Sequence, residues 1–193
     1  MRLSLLFPAL LFAGLGISVE AQEREPFSIE HLVRLQRVSQ PALSPDGRTV
    51  AFTVRDTDMA ANRGRQDIWT LDLETKGARP VRLTTHPDSD HSAQWSSDGE
   101  YLYFLSTRSG SSQVWRIPNR RGEAEQVTDL PLDVGSFRLS PEGTRIALTL
   151  EVFPDCDTLR CTSDRLEQAT QSPETGMTFD RIFGNGFEQF EGS

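Results

Sequence analysis

One phrase occurs three times in this chain and sharply limits what it can fold into. It reads LSPDGRTVAF from Leu43, WSSDGEYLYF from Trp95 and LSPEGTRIAL from Leu139. Each copy has a serine, a proline or second serine, an acidic residue and a glycine, followed by a largely apolar run. Asp46-Gly47, Asp98-Gly99 and Glu142-Gly143 read as hairpin turns, because glycine takes the positive φ that tight turns require. The three turn glycines are 52 and 44 residues apart. Self-similarity at such a period marks one supersecondary unit used repeatedly.

The residues around each turn predict four strands per unit. In the first unit, about Val38 to Thr84, a short strand ends at Ala42-Leu43 and Thr49 to Val54 returns, rich in β-branched side chains. A polar loop, Arg55 to Arg65, leads to a third strand, Asp67 to Leu73. Lys76-Gly77 then turns the chain into an outer strand from Pro80 to Thr84. Pro80 and Arg82 suit an edge that must resist further pairing. The second unit, 85–128, repeats the order with His91 to Trp95, Tyr101 to Leu105, Gln113 to Ile117 and Glu125 to Thr128. Trp115 falls where Trp69 does, and Val127-Thr128 where Leu83-Thr84 do. A third unit starts near 134 with Ser136 to Leu139 and Arg145 to Leu150, and is incomplete. Four antiparallel strands repeated every 40–50 residues is the pattern of propeller blades. The expected fold is therefore all-β, a partial β-propeller over 27–183. Ser28 is placed to cap a short amphipathic helix over Ile29 to Arg37. The polar stretch Thr162 to Thr175 reads as a loop or short helix.

The segment before the first unit has the layout of a secretory signal over residues 1–21. Arg2 is basic, Leu3 to Val19 is almost wholly apolar, and Val19-Glu20-Ala21 offers small residues where a signal peptidase reads. A membrane anchor is the competing reading, but the run is short for a span of roughly 20 residues. The expected location is secreted or periplasmic, with no membrane span after cleavage. The chain carries 28 acidic and 20 basic residues, a formal charge of -8. That balance argues against a nucleic-acid surface, which needs clustered Lys and Arg.

The only two cysteines, Cys156 and Cys161, lie in PDCDTLRC. In an oxidising compartment they are a candidate disulfide closing a short loop. Two free thiols remain the alternative. A metal site is less well supported, since no second ligand pair follows. Asp88, Asp90 and His91 cluster in sequence, yet they read as a polar connection between units, and no calcium-loop pattern is present. Trp69, Trp95 and Trp115 read as packing between sheets rather than as a ligand platform. No cofactor is expected.

Several phrases together resemble the N-terminal β-propeller of secreted prolyl-oligopeptidase-family (S9) serine peptidases, of the dipeptidyl-aminopeptidase and acylaminoacyl-peptidase type. They are the three turn phrases, DIWTLDL, RLTTHPDSD, STRSGSSQVWRI, VFPDCDTLRC and FDRIF. The SPDG phrase is shared with TolB-type propellers. VFPDC…C followed by FDRIF is the more specific part, and the resemblance covers about Phe27 to Phe183. It implies a propeller that limits substrates to short peptides for an α/β-hydrolase domain with a Ser-Asp-His triad. Such a domain presents its serine on G-x-S-x-G, with Asp and His following. This sequence contains no G-x-S-x-G, and its three histidines are His31, His86 and His91. Ser111 lies in a hairpin loop and reads as a turn residue. No catalytic residue is carried over. The tail 184–193 departs from the family's usual continuation after FDRIF. The expectation is thus a non-catalytic propeller fragment, with a peptide substrate only alongside the hydrolase domain. The alternative is a stand-alone TolB-like envelope module that binds proteins. Two and a half units cannot close a ring, so self-association through open edges is expected.

Overall fold

The computed structural model describes residues 26–119 and 122–171. The proposed signal, the FDRIF phrase and the atypical tail lie outside the described residues. Helix α1 (Ile29–Arg34) forms one turn and a half. Its Ser28 Oγ accepts the His31 N–H at 3.4 Å, and His31 Nδ1 accepts the Ser28 N–H at 3.1 Å. The helix ends before the expected Arg37 because the chain straightens there into the first strand.

That strand is β1 (Arg37–Leu43), followed by β2 (Thr49–Asp58), β3 (Arg63–Asp72) and β4 (Val81–Arg82). They pair antiparallel in sequence order as the first sheet. The second sheet repeats the arrangement with β5 (Asp90–Trp95), β6 (Tyr101–Ser106), β7 (Gln113–Pro118) and β8 (Glu125–Gln126). A third sheet pairs β9 (Val134–Leu139) with β10 (Ile146–Leu150). Helix α2 (Leu159–Gln171) follows. Among the described residues the sheets do not close into a ring.

The repeated phrase earns its residues at the turns. Ser44 Oγ donates to Asp46 Oδ1 at 2.6 Å and accepts the Thr49 N–H at 2.9 Å, while Asp46 Oδ1 accepts the Arg48 N–H. Ser96 and Asp98 repeat this set against Tyr101 and Glu100. In the third copy only the serine half is kept, Ser140 Oγ accepting the Arg145 N–H at 3.1 Å. The hydroxyl bonds hold the Asp46 and Asp98 carboxyls below their ordinary range. Gly47, Gly99 and Gly143 have φ of 74°, 72° and 70°, a region closed to most side chains. The turns also stack. A Cβ on Gly99 would meet Pro45 at 3.5 Å, and one on Gly143 would meet Ser97 Oγ at 3.1 Å.

Two strand regions also differ from the sequence expectation. Arg55 to Arg65 is not a loop: β2 and β3 stay paired out to Asp58 and Arg63. The paired positions carry opposite charges, Asp56 against Arg65 and Asp58 against Arg63, so a polar ribbon is stabilised across strands. The outer strands are shorter than expected because beyond them a threonine hydroxyl, in place of a backbone carbonyl, accepts from the neighbouring strand, while the Ile68 and Val114 carbonyls still accept backbone N–H groups. Thr84 Oγ1 accepts the Ile68 N–H at 3.0 Å, and Thr128 Oγ1 accepts the Val114 N–H at 2.9 Å.

The core lies between sheets. Ala51 and Ile68 of the first sheet pack against Ala93, Leu102, Phe104 and Ile117 of the second, with Trp95 and Trp115 alongside. The opposite face of the second sheet, Leu105 and Val114, packs against Phe137, Ile146, Leu148 and Leu150 of the third. Both faces of the second sheet are thus covered, and Phe104 and Leu102 have no solvent exposure. Burying each such side chain stabilises by about 1.5–3 kcal/mol.

Candidate functional surface

The seam between the first two sheets is where polar chemistry concentrates. Both inner strands carry a bulge at the same place, between Ser39 and Ala42 and between His91 and Gln94. Gln40 and Ser92 hold it with positive φ, 52° and 59°. Gln40 Oε1 accepts from Thr53 Oγ1 and from the Ser92 N–H, each at 3.0 Å, and Gln40 Nε2 donates to Ser92 Oγ at 3.2 Å. One side chain therefore ties the two bulges together. Trp95 Nε1 donates to the Ala42 carbonyl at 3.0 Å, and Gln94 Nε2 to the Phe137 carbonyl at 2.7 Å. These bonds cross from each sheet to its neighbour and set the inner strands in register.

Asp90 opens β5 and is fully buried. It takes the Arg108 guanidinium through both oxygens, at 2.7 and 2.8 Å. Arg108 also lies 5.3 Å from the Phe104 ring centre and 5.0 Å from that of Trp115. Asp90 is thus a structural anchor of the seam. His86 Nδ1 accepts the Asp88 N–H at 3.2 Å in the connection before β5. His91 Nδ1 lies 3.0 Å from Ser92 Oγ. Burial holds the His91 imidazole below its ordinary value, against the opposing pull of the Asp90 charge. Among the described residues no group of three or more His, Cys, Asp or Glu could hold a metal ion. Ser111 accepts a bond from Gln113 Nε2 at 3.1 Å and sits in the β6–β7 turn.

Two clefts flank the seam. One, of about 630 Å³, lies at the turn end and is lined by Ser44, Asp46, Asp98, Glu100, Tyr101 and Asn119. The other, of about 440 Å³, lies beside Thr84, His86, Arg108 and Glu123. Among the described residues, neither cleft pairs a hydroxyl with a histidine ring by a hydrogen bond: His86 Nδ1 in the second is taken by the Asp88 N–H. The arrangement is a scaffold with polar rims.

Trp95 and Trp115 pack against the core between the sheets. Trp69 does not belong there. It pairs with Phe52 on the face of the first sheet that points away from the second. The repeat places the Phe–Trp pair on the same side of each unit, and no described sheet precedes the first.

Cys156 and Cys161 are joined, with Cα atoms 5.5 Å apart. The bridge spans the start of α2, where Thr158 Oγ1 accepts the Cys161 N–H at 3.2 Å. Arg165 reaches back to Asp155 at 2.7 Å and covers the Phe153 ring at 4.7 Å. The α2 helix begins earlier than the polar stretch suggested, because this cap and bridge lie upstream of Thr162.

The model of the TolB beta propeller domain family matches residues 21–169. The chain belongs to the TolB β-propeller domain family. Its similarity extends to the propeller portions of S9 serine peptidases. Dipeptidyl-peptidase 5 of Porphyromonas gingivalis is 27% identical over 154 residues, 75% of this chain and 22% of the relative. Among solved structures, a TolB of Agrobacterium tumefaciens matches with TM-score 0.50 and 24% identity, over 63% of this chain and 41% of that one. Acylaminoacyl peptidase of Pyrococcus horikoshii matches with TM-score 0.51 and 16% identity, over 66% and 19%. At these identities the structural matches speak to the TolB-type fold alone. The chain spans between about a fifth and a third of the length of the curated relatives it matches. Among the described residues no helix is long and apolar enough to cross a membrane.

Proposed function

We propose that this chain is the propeller portion of a secreted S9-type serine peptidase, and that it performs no hydrolysis on its own. The observation that supports it most is the unbroken run of two four-stranded units and a third into VFPDC…C, in a chain similar to a dipeptidyl-peptidase over three quarters of its length. In this reading the seam and its two clefts form part of the wall past which a short peptide travels, and the reacting serine, aspartate and histidine lie on a separate hydrolase domain. The apolar segment over residues 1–21 directs export. The test is hydrolysis of dipeptidyl and acyl-aminoacyl reporter substrates by the purified chain. No turnover above buffer is expected. Turnover blocked by a serine-directed inhibitor would remove the claim that the chain is inert.

A second reading rests on the family match itself: a TolB-like envelope module that binds a protein through loops at the ends of its sheets. A defined partner recovered from envelope extract, together with a stop codon directly after Ser193, favours this reading over the first.

A further inference from the structure

We propose that Arg37 and Arg55 form a carboxylate-binding shelf at the rim of the seam between the first two sheets, and that its ligand is the free carboxylate of a short peptide. The choice of a peptide rests on the reading of the chain as a peptidase propeller; the shelf itself rests on geometry. Counted from the turn glycines Gly47 and Gly99, Val54 corresponds to Ser106, where β6 ends, whereas β2 runs on to Asp58. The ribbon of the first sheet therefore overhangs the second by four residues. Arg55 is the first of them, and Arg37 of β1 stands directly opposite it. Side chains alternate along a strand, so both arginines share the side that carries Ala51 and Thr53, the side that faces the second sheet. Both are exposed.

Like charges set opposite each other across a strand pair are destabilising. Among the described residues neither guanidinium has a carboxylate partner to offset this. The ribbon's own carboxylates, Asp56 and Asp58, alternate onto the other side, where Asp58 lies 3.8 Å from Arg65. Gly64 shapes the shelf. It lies diagonal to Arg55 on the same side, and a Cβ there would run into the Arg55 guanidinium. Glycine inside a strand marks a place where another group approaches closely, and here it lets the guanidinium lie over β3. The shelf thus offers two forks of N–H donors with no acid on its side of the ribbon. Such a fork matches the two oxygens of a carboxylate. Phosphate shares this chemistry, but the formal charge of -8 opposes polyanions far more than it opposes a single carboxylate. Beside the arginines, Gln40, His91 and Ser92 supply uncharged polar groups for the rest of a peptide.

Isothermal titration of the full chain with N-acetylated tetra-alanine, once with a free C-terminal carboxylate and once as the amide, tests this. The free acid should bind at least about tenfold more tightly than the amide, the worth of one charged hydrogen-bonded pair. Arg37→Gln and Arg55→Gln should each weaken the free acid about tenfold and should not change binding of the amide. Both variants should keep the wild-type circular dichroism and an unfolding midpoint equal to or above that of the wild type, because the opposed charges are relieved. A merely structural role for the arginines would lower that midpoint instead. No binding, equal affinity for acid and amide, or wild-type affinity for the acid in either variant overturns the shelf. Inorganic phosphate bound as tightly as the free acid overturns the peptide as its ligand. Binding is read here without turnover, so its failure in a chain whose reading frame continues into a hydrolase domain overturns the shelf alone. A frame that stops at Ser193 removes the peptidase reading and leaves a measured shelf standing.

Discussion

Phe52 and Phe104 stand at the same place in successive units, and each is paired with a tryptophan across the sheet, Trp69 and Trp115 respectively. Only Phe104 has lost all its solvent exposure. The difference comes from the neighbouring sheet, since each phenylalanine sits at the same register of its own sheet, opposite a tryptophan. Phe104→Ala should therefore destabilise the chain by about 3–5 kcal/mol, the range for a buried phenylalanine. Phe52→Ala should cost clearly less. Urea unfolding of both variants, followed by tryptophan fluorescence, gives the comparison; equal losses would contradict the sheet order described.

The buried pair of Asp90 and Arg108 gives a second contrast. Asp90→Ala leaves a largely buried guanidinium beside Phe104 and Trp115 with no counter-charge, and should cost about 3–5 kcal/mol. The double variant Asp90→Ala with Arg108→Met should recover much of that, because no unpaired charge remains. The same denaturant series reads both. A double variant as unstable as the single would show that the pair contributes more than charge neutralisation.

Acid should weaken the fold through His91. Its folded imidazole is held below the ordinary value of 6.5 by burial. The unfolded chain therefore binds the proton first, and the stability contributed by neutral His91 is complete above that value and lost as pH falls through the lower folded one. His91→Gln should flatten the dependence of the unfolding midpoint on pH in this window. Asp46 and Asp98, both held low by serine hydroxyls, add a further loss at more acidic pH. An unchanged slope in the variant would remove His91 from this account.

The bridge from Cys156 to Cys161 closes a short loop, so its effect on the unfolded chain is limited to about 2 kcal/mol. Intact mass after alkylation should show two added groups only when a reductant has been used first. Labelling of both thiols in the unreduced, unfolded protein would exclude the bond.

Much of the architecture was legible in the sequence because its signals are local. The turn residues carry their own hydrogen bonds, as Ser44 and Asp46 show, and strand alternation on either side follows from the turn. The outer strands and the β2–β3 ribbon are not legible in this way, for the opposite reason. Thr84 satisfies a backbone donor that a strand residue normally would, and the charges from Asp56 to Arg65 look like loop until they are set in opposing pairs. The seam was least legible. Gln40 meets Ser92 across 52 residues and Asp90 meets Arg108 across 18, and no spacing rule links either pair before the strands are placed.

The reading frame beyond Ser193, sequenced from the source DNA in all three frames, tests the central functional claim most directly. The account predicts a continuation with further units and then G-x-S-x-G, with an aspartate and a histidine after it in that order. A frame that stops at Ser193, with no such segment downstream in any register, would contradict it.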